Sequence, residues 1–333
     1  MPPGYDRIGD VRTVALPEVP YGATAVRPDW EDLPPAVRNA ITRRLGAEVA
    51  SATTAGGGFT RAFAAVLETV AGRRVFVKAA PVTDPTADWY AREAAITAAL
   101  PPEVPAPRPR WTLAEAGWFV LCLDAVDGHV PTLPWSPEDL TAALAAWSTA
   151  AKALSTPPHL AGLNPPDLPL LPDLIRYELS WWSEIEAGRE PLPPTAPAWV
   201  PQRLPELAAM ERALPPLAAG PGMLHGDLRV DNVLIDTSGR ARLCDWSWPC
   251  LGAPWFDTVT LLVSAYASGL DADARLEPWH APAGGVDGAL AAMSGYWLVR
   301  AAGPPSSASP HSRQHQLFSG TQALAWLADR RGW

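Results

Sequence analysis

The sequence has few cysteines and no long apolar run, and these absences exclude several classes of protein. Only three cysteines, Cys122, Cys244 and Cys250, occur in 333 residues. Their number is odd and their spacing matches no paired zinc motif, so buried, reduced thiols are expected. No apolar run reaches the length needed to cross a bilayer, so neither a membrane span nor a membrane partner is expected.

Positive charge is also in short supply. The 26 Lys and Arg residues are outnumbered by 35 Asp and Glu residues, which gives a formal net charge of -9. Binding to a phosphate backbone requires a basic face, so this balance argues against a nucleic-acid partner. The first ten residues, MPPGYDRIGD, lack the basic and apolar regions of a signal peptide, so a cytoplasmic location is expected.

The first part of the chain has the periodicity of a small antiparallel sheet with one packed helix. After an irregular, proline-rich leader over 1–30, apolar residues recur every four positions over 33–45. This period predicts a helix that is capped by Asp32 and stopped by Gly46. Alternating apolar residues and glycine-containing turns then predict strands and a further helix. The strands are expected at 48–53, 62–68, 75–78 and 118–123, and the helix at 88–100.

From residue 126 onward the sequence is dominated by helical patterns. The stretch up to residue 226 is rich in Ala, Leu, Trp and Pro, has no repeat of fixed period, and is punctuated by prolines at 156–158, 164–167 and 191–197. Helices are predicted at 137–154, 171–187, 202–214, 256–268, 287–301 and 316–331. A strand pair is predicted at 233–235 and 241–244, and a polar loop at 303–313.

One short stretch concentrates polar residues in a way that indicates catalysis. Residues 224–236 read LHGDLRVDNVLID, in which Asn232 follows Asp227 by five positions. Phosphoryl transfer needs a carboxylate that accepts the proton of the attacking hydroxyl, and oxygen ligands that hold a metal ion on the phosphates. Asp245 follows Asn232 by 13 residues, directly after a predicted apolar strand, where a second metal ligand is required. The two spacings together are much more specific than a lone HisGlyAsp turn.

These residues resemble the catalytic loop of the aminoglycoside phosphotransferase family, a small-molecule branch of the protein-kinase-like fold. The resemblance covers roughly residues 46–270 and implies an α+β, bilobal fold with a small antiparallel-sheet N-lobe and a mainly helical C-lobe. By this resemblance Asp227 is the catalytic base, Asn232 and Asp245 are metal ligands, Mg²⁺ is the cofactor, and ATP or GTP is the phosphate donor. The family's Asp-Phe-Gly or Asp-x-Asp element reads Asp245-Trp246-Ser247 here, so its glycine and its second carboxylate are both missing.

Upstream residues would bind the phosphates of the nucleotide. The run Gly56-Gly57-Gly58 lies between two predicted strands, where glycines let backbone amides approach phosphate oxygens. A tight hairpin uses glycine equally well, so the run alone does not decide between the two interpretations. Lys78 ends an alternating strand, where its burial needs an anionic partner. In the family pattern that partner is Glu93 on the next helix, for which a solvated helix face is the alternative.

The segment after the strand at 118–123 resembles the hinge between the two lobes. By this resemblance the carbonyl group of Asp124 and the amide group of Val126 would bind the adenine, and Leu123 would line the rear of the pocket. Backbone groups carry this recognition, so the side chains do not distinguish ATP from GTP.

Other polar residues near the motif have more than one interpretation. Arg229 could neutralise charge that develops on the transferring phosphate, or it could form a structural salt bridge with a nearby carboxylate. We expect His225 to support the loop by packing and hydrogen bonding, and the resemblance implies that Asp257 braces the catalytic loop. Asp231 and Asp236 are expected to be solvated or turn-capping groups without a chemical role.

The resemblance also implies a domain organisation. Residues 1–45 would form the leader and first helix, residues 46–125 the N-lobe, and residues 126–333 the C-lobe. The C-lobe would contain a helical insertion at 129–220, the catalytic loop at 224–247 and the C-terminal helices. Protein kinases bridge hinge and catalytic loop in far fewer residues, whereas small-molecule kinases of this fold use such an insertion to build the acceptor pocket.

The acceptor is therefore expected to be a small hydroxylated molecule, such as an aminoglycoside-like antibiotic or a related metabolite. Only eleven residues separate Asp245 from Asp257, too few for the regulated activation loop of a protein kinase. Four carboxylates of the insertion could bind amino groups of the acceptor, although their spacing equally suits the wet side of a helix: Asp173, Glu178, Glu184 and Glu186. A cationic acceptor is ranked slightly ahead of a neutral one. The departure at Trp246-Ser247 leaves a nucleotide-binding pseudokinase or interaction module as the alternative function.

Overall fold

The computed structural model describes residues 14–160, 167–306 and 308–333. Three sets of residues named above lie outside the described residues. They are the first 13 residues of the predicted leader, residues 164–166 of the second proline cluster, and residue 307 of the predicted polar loop.

Five antiparallel strands form one sheet in the first half of the chain. They are β1 (Val49–Thr54), β2 (Phe63–Thr69), β3 (Arg74–Pro81), β4 (Pro109–Glu115) and β5 (Trp118–Asp124), in the spatial order β1-β2-β3-β5-β4. The four predicted strands are confirmed with small shifts at their ends. The sequence pattern does not predict β4, because this edge strand is half-buried or exposed along its length and contains Pro, Arg, Thr and Glu. Together with the helices below, the sheet confirms the α+β class.

Helix α1 (Pro35–Leu45) covers the outer face of the sheet. Strand side chains alternate between the two faces, so Phe63 of β2 and Val77 of β3 point to the same side. Both belong to one buried cluster with Ile41 and Leu45 of α1. The apolar side of the helix, which repeats every four residues, therefore packs on the apolar face of the strands, which repeats every two residues, in one core layer.

Of the two predicted caps of α1, one is correct and one is wrong. Gly46 adopts a φ of 71° and ends α1, as predicted. The prediction that Asp32 caps α1 is wrong. Asp32 closes a separate 3-10 turn whose N-cap is Asp29, and α1 begins after Pro34 without a side-chain cap. Proline at the first helical position needs no such cap for its missing N–H group, which explains the difference.

Helix α2 (Pro85–Ala99) packs on the opposite face of the sheet, where Ala80, Leu121 and Tyr90 share a second buried cluster. Because Val77 and Ala79 point to α1, Lys78 must point to the α2 side of β3. The inner face of the sheet thus presents the lysine toward the helix that carries Glu93.

The rest of the described chain is mainly helical. Its helices are α3 (Pro137–Ala153), α4 (Leu171–Glu178), α5 (Trp181–Glu186), α6 (Val200–Leu217), α7 (Trp255–Ala267), α8 (Ala272–Leu276), α9 (Gly285–Ala302) and α10 (Ser312–Arg331). Short strands complete it: β6 (Gly128–His129), β7 (Gly222–Leu224), β8 (Val233–Asp236), β9 (Ala241–Leu243) and β10 (Cys250–Gly252). Among the described helices none is long and apolar enough to cross a membrane. The domain boundaries after residues 45 and 125 stay predictions.

Short antiparallel strand pairs organise the polar motif. Strand β8 pairs with β6 on one side and with β9 on the other, while β7 pairs with β10. The predicted strand pair at 233–235 and 241–244 is therefore confirmed. The motif residues lie in the loop between β7 and β8, and Asp245 lies just after β9. These pairings bring the loop between β7 and β8 close to Asp245.

The predicted helix at 171–187 is two helices, α4 and α5. The break falls at Leu179 and Ser180, where the Ser180 hydroxyl donates to the Ile175 carbonyl oxygen at 2.8 Å. A serine side chain that bonds a carbonyl of the preceding turn competes with the helical backbone, which favours an end at this point. Glu211 of α6 then binds the free N–H groups at the start of α5.

Glu211 is a buried carboxyl group that fixes α5 on α6. Its two oxygens accept hydrogen bonds from the backbone N–H groups of Trp182 at 3.1 Å and Ser183 at 2.8 Å. Its exposed fraction is 0%, and burial raises the pKa of Glu211 to about 7, although these hydrogen bonds oppose the shift. The carboxyl group therefore caps a helix from outside that helix.

Replacing Glu211 should change how stability depends on pH. The folded-state pKa lies above the value of about 4.3 for an unfolded glutamic acid, so the unfolded chain loses this proton first as pH rises. The stabilisation is full below pH ~4 and is lost as pH rises toward 7. The free energy of unfolding of the wild type, measured relative to Glu211→Gln, should fall by about 3 kcal/mol between pH 4 and 8. Urea unfolding at several pH values would measure it. Glu103→Gln is the exposed control, and a constant difference for Glu211→Gln would contradict the interpretation.

Candidate active site

Asp257 of α7 holds the start of the catalytic loop through backbone hydrogen bonds. Its carboxylate accepts from the N–H groups of His225 at 2.7 Å and Gly226 at 3.2 Å. The side chain is almost fully buried, and burial raises the pKa of Asp257 to about 7. The expected bracing contact is thus present.

The His225 ring supports the loop from the other side. Its Nε2 lies 2.8 Å from the Cys244 carbonyl oxygen, and the Asp227 N–H group donates to its Nδ1 at 3.3 Å. Burial lowers the pKa of His225 to about 4, so the ring is neutral, with Nε2 as donor and Nδ1 as acceptor. The expected packing and hydrogen-bonding role is confirmed.

Gly226 is required by its backbone conformation and by its surroundings. It has a φ of 79°, a conformation that side chains other than glycine rarely adopt. A Cβ atom at this position would lie 1.9 Å from the Trp248 carbonyl oxygen. The middle residue of HisGlyAsp must therefore be glycine, so that the loop can pack against the segment that follows Asp245.

Asp227 lies at the centre of a group of polar contacts. The Asn232 amide donates to the Asp227 carbonyl oxygen at 2.8 Å and approaches its Oδ2 at 3.3 Å. The Arg229 guanidinium donates to Asp227 Oδ1. Burial raises the pKa of Asp227 to about 7, although Arg229 opposes this shift. The loop therefore holds both predicted side chains, Asp227 and Asn232, on one side of the turn.

Arg229 also forms a two-pronged ion pair with Asp231. Its Nε and Nη2 atoms each lie 3.0 Å from an Asp231 carboxylate oxygen, and the Asp231 side chain is 1% exposed. The expectation that Asp231 is solvated or turn-capping is wrong. The turn over Val230–Asn232 folds Asp231 back onto Arg229. An ion pair between residues two positions apart leaves no periodic pattern in the sequence, so it is not predicted. Burial alone would raise the pKa of Asp231, but the guanidinium outweighs burial and lowers it.

Asp236 behaves as predicted. Its Oδ1 accepts hydrogen bonds from the N–H groups of Ser238 at 2.9 Å and Arg240 at 3.0 Å. These bonds are typical of an aspartate that closes a turn. Asp236 thus stabilises the β8–β9 turn and lies outside the group of contacts around Asp227.

The two predicted metal ligands lie side by side. The Cys244 N–H group donates to the Asn232 carbonyl oxygen at 2.8 Å, which continues the β8–β9 pairing and places Asp245 beside Asn232. Asp245 has a φ of 61°, and its Oδ1 accepts from the Ser247 hydroxyl at 2.6 Å. Trp246 is buried, and its Nε1–H group donates to the Leu243 carbonyl oxygen at 3.0 Å. Trp246 and Ser247 therefore take up structural contacts where the family has Phe-Gly or a second carboxylate.

The chemistry of these two residues fits Mg²⁺. An amide oxygen and a carboxylate are the hard donors that this ion prefers, and Mg²⁺ usually takes only one or two carboxylates besides water and phosphate oxygens. Asn232 directs its NH₂ group to the Asp227 carbonyl oxygen, which leaves the amide oxygen for another partner. Within the described residues no three His, Cys, Asp or Glu side chains are grouped so that they could hold a metal ion.

Lys78 connects the sheet to this centre. Its Nζ lies 2.6 Å from Glu93 Oε2 and 3.6 Å from Asp245 Oδ1. The Lys78 and Glu93 side chains are 12% and 3% exposed, so the predicted ion pair is present and well buried. Burial alone would lower the pKa of Lys78, but the carboxylates of Asp245 and Glu93 outweigh it and raise the pKa.

The residues of the predicted hinge and of the glycine run lie in connections at the ends of strands. Asp124 ends β5, its side chain pairs with Arg110 at 2.8 Å, and Val126 lies in the connection to β6. Gly56, Gly57 and Gly58 lie in the loop over residues 55–62, which we call the glycine loop, between β1 and β2. Their nucleotide-binding roles stay predictions.

The sequence gives no sign of the role of Phe59 at the tip of the glycine loop. Its ring lies under the Arg229 guanidinium, whose Cζ is 5.5 Å from the ring centroid, and it packs on the His315 ring at 4.8 Å. An apolar residue among glycines would ordinarily be interpreted as strand or core. The contact joins the tip of the glycine loop to the catalytic loop.

Comparisons with known proteins identify the same fold. A family model described as the phosphotransferase enzyme family matches residues 51–296. A solved structure of a thermostable mutant of aminoglycoside phosphotransferase APH(4)-Ia, in ternary complex with AMP-PNP and hygromycin B, has a TM-score of 0.59 at 17% identity and covers 89% of this chain and 99% of that chain. The GDP complex of a mutant aminoglycoside 2'-phosphotransferase-IIIa has a TM-score of 0.54 at 16% identity, covering 88% and 96%.

An aminoglycoside phosphotransferase from Alicyclobacillus acidocaldarius subsp. acidocaldarius has a TM-score of 0.51 at 14% identity, covering 85% of this chain and 92% of that chain. At these identities the three solved structures are evidence for the fold alone, and they confirm the kinase-like architecture. A comparison with curated protein sequences gives no match.

Removing the charge of Asp231 should destabilise the protein. Asp231→Asn leaves the partly buried Arg229 with one carboxylate instead of two, and breaking a buried pair costs about 3 kcal/mol or more. Urea unfolding would measure the loss of free energy. The control is Asp173→Asn, because Asp173 pairs with Arg176 at the surface and exposed pairs contribute little. Equal stability of the two variants would show that the buried Arg229–Asp231 ion pair contributes little to the stability of the protein.

Proposed function

Because the chain belongs to the phosphotransferase enzyme family, we propose that it transfers the γ-phosphate of ATP or GTP to a hydroxyl group of a small molecule. The chain is a kinase-type phosphotransferase. Our proposal concerns the identity of its phosphate donor and of its acceptor. We propose an aminoglycoside-like antibiotic or a related hydroxylated metabolite as acceptor. The observation that carries the proposal is the convergence of Asp227, Asn232, Asp245 and Lys78 from three separate segments of the chain.

Asp227 is proposed as the group that accepts the proton of the acceptor hydroxyl. It is held by Asn232 and Arg229, so its position does not depend on the bound substrate. A carboxylate that is placed in this way removes the proton as the oxygen attacks phosphorus. Arg229 lies beside the base, where its charge would stabilise the negative charge that develops on the phosphoryl group.

Lys78, Asn232 and Asp245 are proposed to bind the phosphates and the metal ion. Lys78 would bind phosphate oxygens while Glu93 keeps its side chain directed into the cleft. Asn232 and Asp245 would hold Mg²⁺, which when bound neutralises charge on the phosphate oxygens. The hinge residues Asp124 and Val126 would bind the purine through backbone groups. Fold relatives in complex with AMP-PNP and with GDP support testing both adenine and guanine nucleotides.

The carboxylates of the insertion give little support to a highly cationic acceptor. Three of the four candidates already pair with arginines at 2.7, 2.5 and 2.6 Å: Asp173 with Arg176, Glu184 with Arg189, and Glu186 with Arg212. A carboxylate with an arginine partner has less charge to offer an amino group. An acceptor that binds mainly through its hydroxyl groups and ring faces suits this surface better than a polycation.

Two exposed tryptophans lie at the edge of the candidate site. Trp89 and Trp248 are 38% and 52% exposed, and their ring centroids are 5.5 Å apart. Trp89 precedes Glu93 by about one turn of α2, so both lie on the same side of that helix. Trp248 follows Asp245 by three residues. Aromatic faces bind the apolar faces of sugar rings and also cations, which supports a ring-containing acceptor such as a sugar or an antibiotic that carries one.

A phosphate-transfer screen tests the proposed function. Purified protein, Mg²⁺ and either ATP or GTP would be combined with aminoglycosides, other hydroxylated antibiotics, sugars and choline, and the products examined by mass for an added phosphoryl group. A phosphorylated acceptor would identify both substrates. Nucleotide binding without transfer to any hydroxyl compound would favour the alternative, a pseudokinase or interaction module.

Asp227→Ala should strongly reduce the rate of transfer without abolishing nucleotide binding. Loss of a general base lowers kcat by about 10²–10⁴-fold, whereas Lys78 and the hinge remain intact. The rate would be measured with the acceptor found in the screen, and nucleotide affinity by calorimetry. Asp236→Ala is the control, since Asp236 closes the β8–β9 turn and pairs with Arg242, outside the group of contacts around Asp227. Unchanged turnover in Asp227→Ala would refute the assignment of the base.

Trp248→Ala should weaken binding of the acceptor. Loss of one stacking face should raise the acceptor KM by about fivefold to tenfold, with the nucleotide KM unchanged because Trp248 lies outside the proposed nucleotide contacts. Trp248→Phe keeps an aromatic face and should recover most of the affinity. Steady-state kinetics with each substrate varied in turn would measure the effect, and an equal rise in both KM values would argue against an acceptor contact.

A further inference from the structure

A segment that precedes the first helix lies directly against the glycine loop. We call residues 20–29 the N-terminal brace. Each of three consecutive glycine carbonyl oxygens accepts a hydrogen bond from this brace. The bonds run from Ala25 N to Gly56 O at 2.8 Å, from Arg27 Nη2 to Gly57 O at 3.1 Å, and from Thr24 Oγ1 to Gly58 O at 3.2 Å.

Arg27 connects the glycine run to the far end of the same loop. Its Nη1 donates to Thr60 Oγ1 at 2.9 Å and to the Ala62 carbonyl oxygen at 2.8 Å, while its Nη2 donates to Gly57. One guanidinium therefore joins three points of an eight-residue loop. A planar group with five donors can do this, whereas a lysine presents a single ammonium group.

The direction of the glycine carbonyl groups determines the direction of the neighbouring amides. In a trans peptide the C=O group of one residue and the N–H group of the next point to opposite sides. Because the carbonyl groups of Gly56, Gly57 and Gly58 point to the brace, the N–H groups of Gly57, Gly58 and Phe59 point away from it. Successive N–H groups that point to one side form an anion-binding concavity.

The glycines themselves are needed for this contact. A Cβ atom at Gly56 would lie 2.2 Å from the Gly22 carbonyl oxygen, and one at Gly58 would lie 2.6 Å from Arg27 Nη2. Gly58 also has a φ of 97°. A tight hairpin alone would not require the glycines to face another segment, so close packing of the brace explains the run better than turn geometry does.

The C-terminal part of the chain holds the same loop. The Ser309 N–H group donates to the Phe59 carbonyl oxygen at 2.9 Å, and the Ser309 hydroxyl donates to the Thr24 carbonyl oxygen at 2.6 Å. Tyr21 of the brace is hydrogen bonded to His315 Nδ1 of α10 at 2.6 Å. The brace and these C-terminal residues all lie outside residues 51–296, which the family model matches.

We propose that Arg27 is a positioning residue for phosphate binding, which acts by holding the glycine loop with its Gly57, Gly58 and Phe59 amides directed at the phosphates of the nucleotide. The inference rests on the proposed function, because it assigns the ligand of those amides. Arg27 lies outside residues 51–296, so the inference adds to the enzyme a residue that the family model does not cover. In this proposal Arg27 acts through the loop rather than by binding the nucleotide itself.

The test compares full-length wild type with Arg27→Ala, Arg27→Lys and the control Arg43→Ala. Arg43 is an exposed arginine of α1 that pairs with Glu115, away from the loop. Hydrogen exchange of peptides over 55–62 reports on the loop without any substrate, and calorimetry with Mg²⁺ and ATP or GTP reports on nucleotide affinity.

Arg27→Ala should exchange faster over 55–62 and raise the nucleotide Kd by about tenfold, since it removes three hydrogen bonds from a charged donor. Arg27→Lys should lie between it and wild type, and Arg43→Ala should match wild type. When an acceptor is known, the nucleotide KM should rise with little change in the acceptor KM. If Arg27 only stabilised the fold, its loss would not raise the nucleotide KM while leaving the acceptor KM nearly unchanged.

Two results would overturn the proposal. Unchanged exchange in Arg27→Ala would mean that the arginine does not position the loop. Faster exchange with unchanged or tighter nucleotide binding would mean that the brace holds the loop away from the phosphates. If wild type bound neither nucleotide, the proposed function would fail, and the exchange data would still decide whether Arg27 holds the loop.

Discussion

The two hydrogen bonds from the His225 and Gly226 amides to the buried Asp257 carboxylate are the contact on which the candidate centre depends. Asp257 lies in α7, one of the most buried helices of the chain, so the catalytic loop is fixed to the core rather than to a neighbouring loop. Once those two amides are bound, Gly226 lets the chain turn in close contact with the Trp248 carbonyl group. The base then has a defined position relative to β8, β9 and the residues that follow them.

Charge in the centre is divided between two cations and four carboxylates. Lys78 contacts Glu93 and Asp245, and Arg229 contacts Asp227 and Asp231. In each group one carboxylate belongs to the proposed chemistry and the other keeps the cation in place. The proposed Mg²⁺ would balance the excess of two carboxylates. Asp231 and Glu93 thus have equivalent structural roles.

The sequence predicts the parts of this centre that depend on short spacings. Asp227 and Asn232 share one loop, Asp245 follows the adjoining strand, and Lys78 and Glu93 follow strand and helix periods that the structure confirms. It does not predict contacts that depend on tertiary proximity. Arg27 meets residues about thirty positions away, and Asp231 folds back through a 3-10 turn. Strand β4 and the break between α4 and α5 are missed for a related reason, since polar edge strands and serine-induced helix ends leave weak periodic signals.

Trp89 and Trp248 have a further consequence, which concerns spectroscopy. Of the 16 tryptophans in the chain, several are fully buried, including Trp147, Trp182, Trp246 and Trp326, and their emission is shielded from dissolved quenchers. The pair at the edge of the cleft is accessible to iodide or acrylamide. The quenchable part of the intrinsic fluorescence therefore includes a natural optical probe beside the proposed acceptor site, and occupancy of that site can be followed without attaching a dye.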